Sequence, residues 1–145
     1  MRRGRRVPSI TIFELTLAGF GGQDSYDMSL VDSYNLPMVA LPAHGTNGSC
    51  LPIECLRDVN FICLTMLQVK NGAIIIACKS AYATLANPEF CCTGAFATPQ
   101  TCQPTDYLHL FKARCPRTYS YTFDDASSTF TCTNPKGYYI TFCPK

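Results

Sequence analysis

Residues 87–132 read NPEFCCTGAFATPQTCQPTDYLHLFKARCPRTYSYTFDDASSTFTC. This stretch holds five of the ten cysteines of the chain, including the adjacent pair Cys91 and Cys92. Adjacent cysteines cannot readily bond to each other without straining the peptide between them, so each is expected to reach a different partner. An even number of cysteines in a small chain with many Gly and Pro residues is typical of a disulfide framework from an oxidising compartment. The stretch therefore predicts a disulfide-bonded extracellular scaffold.

Metal binding is the alternative use of so many cysteines. Zinc sites are built from CxxC pairs, alone or with paired histidines, and no two consecutive cysteines here are separated by two residues. The two histidines, His44 and His109, are isolated in the sequence. We therefore predict no metal site and no cofactor, and we read His109 as an ordinary helix residue.

Charge and hydropathy exclude several other classes of protein. The formal net charge is only +2, and the one basic cluster, residues 1–6, is typical of a solvated tail, so no nucleic-acid partner is predicted. No apolar run approaches the roughly 18 residues of a membrane span. The arginines of residues 1–6 lead into strand-like sequence, so no export signal is expected in this chain.

Short alternating segments flank the cysteine-rich middle of the chain. Residues 10–17 and 26–31 alternate apolar with polar side chains and predict half-buried strands. Residues 34–42 continue as an extended segment that Pro37 and Pro42 should confine to a sheet edge or a bulge. Residues 118–123, 128–133 and 138–143 return to strand chemistry. The pattern predicts a mainly β chain: a β-sandwich from residues 7–56 and 116–145, interrupted by a disulfide-rich subdomain over residues 57–115.

The subdomain is expected to contain short helices. Residues 104–116 form the best candidate, with Thr105 as the N-cap and the apolar residues Tyr107, Leu110 and Phe111 on one face. Residues 81–86 form a shorter second candidate. Bridges rather than long elements should hold this region together.

Several motifs, in order along the chain, resemble the plant thaumatin-like, pathogenesis-related (osmotin-like) proteins. They are GGQDSYDMSLVDSYNLPM, CKSAY, NPEFCCTGAF, CPRTYSYTFDDASSTFTC and YYITFCP. The resemblance implies a thaumatin-like β-sandwich with a disulfide-rich second domain and an acidic cleft between them, here incomplete because the N-terminal strands of the family are lacking. It further implies a monomer of the apoplast or vacuole that binds β-1,3-glucan or other components of fungal cell walls and membranes.

The resemblance also implies a pairing of the cysteines, which sequence spacing alone leaves open. The implied bridges are Cys50–Cys132, Cys55–Cys115, Cys63–Cys78 and Cys92–Cys102. Tyr82 stands where the family has the partner of Cys91, and the partner of Cys143 falls in the part that the chain lacks, so Cys91 and Cys143 are predicted to be free thiols. Asn47 heads a glycosylation sequon, Asn47-Gly48-Ser49.

The family resemblance assigns the acidic cleft to Glu14, Asp27, Asp32 and Asp124, with Asp125 as a neighbouring possibility. The arginine that accompanies these acids in the family has no counterpart here. Taken without the family, the same acids read as ordinary surface residues of turns and strands. If hydrolysis occurs, we expect Glu14 to act as the acid and Asp27 or Asp32 as the base that activates water.

Three functional hypotheses follow. The first is a defence protein that binds fungal β-1,3-glucan through its acidic cleft. The second is a weak endo-β-1,3-glucanase that uses paired carboxylates. The third is an inactive, truncated family member.

Overall fold

A computed structural model describes residues 9–45, 50–85 and 87–145. The strands are β1 Ile12–Thr16, β2 Gln23–Ser29, β3 Ser33–Tyr34, β4 Met38–Ala43, β5 Ile53–Cys55, β6 Gln68–Asn71, β7 Ile74–Lys79, β8 Phe130–Thr133 and β9 Gly137–Phe142. The α-helices are α1 Ala81–Leu85, α2 Pro88–Cys91, α3 Asp106–Arg114 and α4 Asp125–Ser128. None of the helices in these ranges is long and apolar enough to cross a bilayer.

The strands form three antiparallel sheets of three strands each. Their orders are β1-β2-β8, β3-β7-β6 and β5-β4-β9. The prediction of a mainly β chain with short helices is confirmed. The second sheet joins β3, from the predicted sandwich segment, to the hairpin of β6 and β7 from the predicted subdomain.

Strand β2 positions both the core and the candidate site. Its alternation is as predicted: Tyr26, Met28 and the following Leu30 are buried on one face, whereas Asp27 and Ser29 are half-buried on the other. The buried face packs into a core of Tyr, Met, Leu, Ile and bridged Cys side chains. Because side chains alternate along a strand, this burial directs Asp27 away from the core.

Strand β4 is central in its sheet, so the prediction of an edge or bulged strand for residues 34–42 was wrong. It pairs with β9 along its whole length, from Met38 to Ala43, but with β5 only over Met38–Ala40. Pro42 therefore lies past the end of β5, where its missing N–H breaks no hydrogen bond to β5. Pro42 therefore still obeys the rule that proline avoids strand positions paired on both sides, although the strand itself is central.

Residues 118–123 do not form the predicted strand. Their contact with β2 is one isolated parallel bridge, between Tyr119 and Ser29. Conversely, the hairpin of β6 and β7 was missed, although Asn71 and Gly72 carry a strong turn signal and Gly72 has a φ of +61°. These residues lie in the region that was predicted to consist of short helices and loops held by bridges.

Helix α3 has nearly the predicted bounds but differs in its cap and in its buried face. Thr105 is the N-cap residue, yet its hydroxyl is buried without a hydrogen-bond partner and does not cap the helix. Leu108 and Phe111 are buried, whereas Leu110 is exposed. The helix therefore turns a face containing Leu108 toward the protein, which brings Lys112 inward because it lies four residues further on.

Four disulfides join the elements. They are Cys50–Cys132, Cys55–Cys115, Cys63–Cys78 and Cys92–Cys102, the pairs that the family resemblance implied. Cys91 is half-buried and Cys143 exposed, and neither is bridged. Asn47 lies outside the described residues.

Candidate functional site

Glu14 and Asp27 lie directly opposite each other on the antiparallel strands β1 and β2. Residues paired in this way project from the same face of the sheet with their Cβ atoms about 4.5–5.5 Å apart. Both side chains line an open cleft of ≈ 340 Å³, together with Ser29, Val31, Tyr119 and Thr122. The register of the β1–β2 hairpin therefore brings two of the four predicted acids together.

Asp27 is electrostatically the most unusual acid of the cleft. Burial, the charge of Glu14, a hydrogen bond shared with Glu14 and the charge of Asp125 together raise the pKa of Asp27 from 3.8 to about 6. Its Oδ1 atom is buried and has no hydrogen-bond partner in the described structure. A neighbouring carboxylate disfavours the ionised form of Asp27, so Asp27 keeps its proton up to about pH 6.

Tyr119 forms the opposite wall of the cleft, and the sequence did not single it out. Its N–H donates to Met28 O at 2.8 Å and its carbonyl accepts from Leu30 N at 2.8 Å, which fixes the residue beside the end of β2. Its hydroxyl donates to Asp125 Oδ1 at 2.5 Å and also contacts the hydroxyl of Thr129. Burial and the hydrogen bond to Asp125 raise the pKa of Tyr119 to about 12, so its hydroxyl stays protonated.

Asp124, predicted as the third cleft aspartate, is not among the residues that line this depression. Its Oδ2 atom accepts from Lys112 Nζ at 2.9 Å and from the N–H and hydroxyl of Ser120, and its Oδ1 atom accepts from Ser127. Burial disfavours the charged form, but these donors outweigh it and lower the pKa of Asp124. The neighbouring Asp125, held by Tyr119, is the acid whose charge acts on Asp27.

Asp32 is also absent from the lining of the cleft. It lies in the bend between β2 and β3, one residue beyond Val31, which does line it. The opposite strand parity of residues 27 and 32 accounts for this difference. The backbone carbonyl of Asp32 accepts from Ser80 N at 2.9 Å, so the residue connects the first sheet to the start of α1.

No group of three or more His, Cys, Asp or Glu side chains in the described ranges is arranged to hold a metal ion. The cleft offers instead carboxyl and hydroxyl groups in a wide, water-accessible depression. Such an arrangement can exchange hydrogen bonds with the hydroxyl groups of a ligand and can move a proton between Glu14 and Asp27.

Comparison of the sequence with known proteins identifies the family of this chain. The sequence profile described as the Thaumatin family matches residues 2–144. The chain belongs to the thaumatin family. It is 49% identical over 139 residues to Thaumatin-like protein 1b of Malus domestica and 51% identical over 139 residues to Thaumatin-like protein 1 of Prunus persica. It is also 48% identical over 141 residues to Pathogenesis-related protein 5 of Arabidopsis thaliana.

These alignments cover 95%, 95% and 97% of this thaumatin-family chain, but only 65%, 56% and 58% of the three relatives. The chain thus spans less than two thirds of the length of each. Because the family profile matches residues 2–144, nearly the whole of this chain, its place among the thaumatin-like, pathogenesis-related proteins is established.

Proposed function

We propose that this thaumatin-family protein is a secreted plant defence protein that binds fungal β-1,3-glucan through the cleft between β2 and Tyr119. The observation that carries the proposal is the opposed pair of Glu14 and Asp27 on the floor of an open, polar depression. An open depression suits a long polysaccharide, which enters from the side, better than a small molecule that must be enclosed.

The groups around the pair suit sugar hydroxyls. A carboxylate oxygen accepts hydrogen bonds from hydroxyl groups, and the hydroxyls of Ser29, Tyr119 and Thr122 can donate or accept. The buried Oδ1 of Asp27 lacks a donor, so a ligand hydroxyl that reached it would satisfy a costly unpaired acceptor. Secretion, a monomeric state and glycosylation at Asn47 belong to the same proposal.

Laminarin, a soluble β-1,3-glucan, tests the proposal directly. We expect Asp27→Asn and Glu14→Gln each to weaken binding of laminarin by about 10-fold or more, because hydrogen bonds to charged groups contribute about 1.5–3 kcal/mol. Isothermal titration calorimetry would measure the dissociation constants. The matched control is Glu54→Gln, an exposed acid on β5, which should bind like the parent protein. If Asp27→Asn and Glu14→Gln bound laminarin as tightly as the parent protein and Glu54→Gln do, the proposal would be overturned.

Hydrolysis is a second candidate function, favoured by the raised pKa of Asp27. If hydrolysis occurs, that shift favours Asp27 over Glu14 as the acid. Glycosidases, however, keep their two carboxyl groups at least about 5 Å apart, so that they flank the scissile bond. Glu14 and Asp27 lie close enough to share a hydrogen bond, so we favour binding over turnover.

The pKa of Asp27 predicts a dependence of stability on pH. The folded state binds a proton more tightly than the unfolded chain, whose aspartates titrate near 3.8, so the free energy of unfolding should fall as pH rises from about 4 to about 6. Asp27→Asn removes this loss. Its stability relative to the parent should therefore rise by about 1–2 kcal/mol between pH 4 and pH 7, a value reduced for partial solvent exposure.

Urea denaturation at pH 4, 5.5 and 7 would measure this difference. The control is Asp106→Asn, an exposed acid in the first turn of α3. If the stability of the Asp27 variant relative to the parent were the same at all three pH values, the pKa of Asp27 would not be raised in the folded state.

A further inference from the structure

Helix α3 and residues 118–124 enclose a second depression, of ≈ 130 Å³, that shares no lining residue with the acidic cleft. It is lined by Pro104, Leu108, His109, Lys112, Ser120, Tyr121 and Asp124. On the helix, Leu108 and Lys112 are four residues apart and His109 and Lys112 are three apart, so all three face the same side. The depression is the smaller and the less open of the two.

The floor of this depression is an ion pair between Lys112 and Asp124, in which all three N–H donors of Lys112 are used. Lys112 Nζ donates to Asp124 Oδ2 at 2.9 Å, to Thr118 O at 2.9 Å and to Ser128 Oγ at 2.8 Å. An ammonium group has three donors, so Lys112 has none left for an anionic ligand. Asp124 is paired with Lys112, so no net charge remains on the floor to attract a cation. The floor therefore favours a neutral ligand.

The walls supply polar and apolar groups side by side. The side chains of His109 and Tyr121 make no hydrogen bond within the part of the chain that the structure describes, so both are available to a ligand. Burial and the charges of Asp124 and Asp125 raise the pKa of Tyr121, which keeps its hydroxyl protonated. Pro104 exposes an apolar surface beside these groups, and the buried Leu108 lies at the base of the depression.

We propose that this depression, independently of the acidic cleft, binds a single neutral hexopyranose ring. The C–H face of the sugar lies on the apolar surface that Pro104 exposes. Its hydroxyl groups exchange hydrogen bonds with Tyr121, His109 and the free acceptor capacity of Asp124 Oδ1. A pyranose combines an apolar face with a neutral hydroxyl edge, which is the combination that the walls and the neutralised floor require.

Titration of the ¹⁵N-labelled protein with methyl β-D-glucopyranoside, followed by ¹H–¹⁵N NMR, tests the proposal. We expect saturable shifts that cluster in residues 104–124 and reach half-saturation at millimolar sugar. Tyr121→Phe should weaken binding about fivefold, as expected for the loss of one hydrogen bond. The matched control is Tyr139→Phe, an exposed tyrosine on β9, which should leave the affinity unchanged. A well-dispersed spectrum of each variant confirms that it is folded.

Sorbitol is the control ligand, because it carries hydroxyl groups without a ring face. Equal binding of sorbitol would overturn the assignment of a pyranose. Shifts centred on Glu14, Asp27 and Ser29 would place the sugar in the acidic cleft and also overturn it, as would shifts that do not saturate. The two proposals can be tested separately. If laminarin binding is lost in Asp27→Asn but kept in Tyr121→Phe, the proposed function of the acidic cleft stands, whether or not the NMR titration shows a sugar site beside α3.

Discussion

Removal of the Cys55–Cys115 bridge, by Cys55→Ala together with Cys115→Ala, should lower the free energy of unfolding by about 4 kcal/mol. The bridge spans 60 residues, and in the chain-entropy model a loop of that length confines the unfolded state strongly. Both sulfurs are also fully buried, between the end of β5 and the C-terminus of α3. The loss should therefore be visible as a large decrease in the midpoint of guanidinium denaturation.

The Cys92–Cys102 bridge provides the control for this effect. It spans only 10 residues, so Cys92→Ala with Cys102→Ala should cost about 2.5–3 kcal/mol by the same model. Disulfides formed in the parent and in both variants should first be verified by mass mapping. A loss for the short bridge equal to or larger than that for the long one would contradict the chain-entropy account.

Replacement of Lys112 by Met should lower the free energy of unfolding by about 2–4 kcal/mol. The substitution keeps much of the length of the side chain but leaves Asp124 as a buried carboxylate without its cation. It also leaves Thr118 O and Ser128 Oγ without their donor. Because these partners all lie within residues 118–128, the segment that forms one wall of both depressions should loosen from α3.

A double-mutant cycle isolates this interaction. Lys112→Met combined with Asp124→Asn should recover part of the lost stability, since the uncompensated charge is removed. Lys70→Met, at an exposed lysine on β6, is the matched control and should change the stability by less than about 0.5 kcal/mol. Additive losses in the double variant would show that Lys112 and Asp124 do not stabilise each other.

The consequences of this network reach the proposed glucan cleft. Tyr119 lies within the segment that Lys112 holds, and it reaches the cleft because its backbone bonds to Met28 and Leu30. If this segment loosened, Tyr119 would move away from the cleft and Asp125, which it holds, would move with it. The stability of the 118–128 segment and the shape of the cleft should therefore depend on the same half-buried lysine.

Local pattern predicted much of the fold. The alternation of β2 identified its buried residues, because burial of one face requires an apolar side chain at every second position. The position of β4 in its sheet was predicted wrongly, since this strand is central and not at an edge. Its partners β5 and β9 come later in the chain, and β9 is about a hundred residues away, so the residues of β4 alone could not show that both of its edges are paired.

The candidate site was predicted only in part, for the same reason. Glu14 and Asp27 come together because the β1–β2 hairpin has one register, and alternation had already placed both on polar faces. Asp124 and Asp125 are adjacent and chemically identical, so nothing local distinguishes their roles. The ion pair with Lys112 makes Asp124 a buried structural acid. The hydrogen bond from Tyr119 instead holds Asp125, whose charge acts on Asp27.

By itself, the sequence determined the disulfide framework as a class, the mainly β composition and, through its motifs, membership of the thaumatin family. These properties depend on residue types and short periodicities, so they can be predicted without knowing which distant residues are in contact. The tertiary structure alone decided which carboxyls lie opposite each other, which aspartate pairs with a lysine and where Tyr119 lies. Each of these depends on the distance between side chains from separate segments, and electrostatic energy and hydrogen bonding change steeply with that distance.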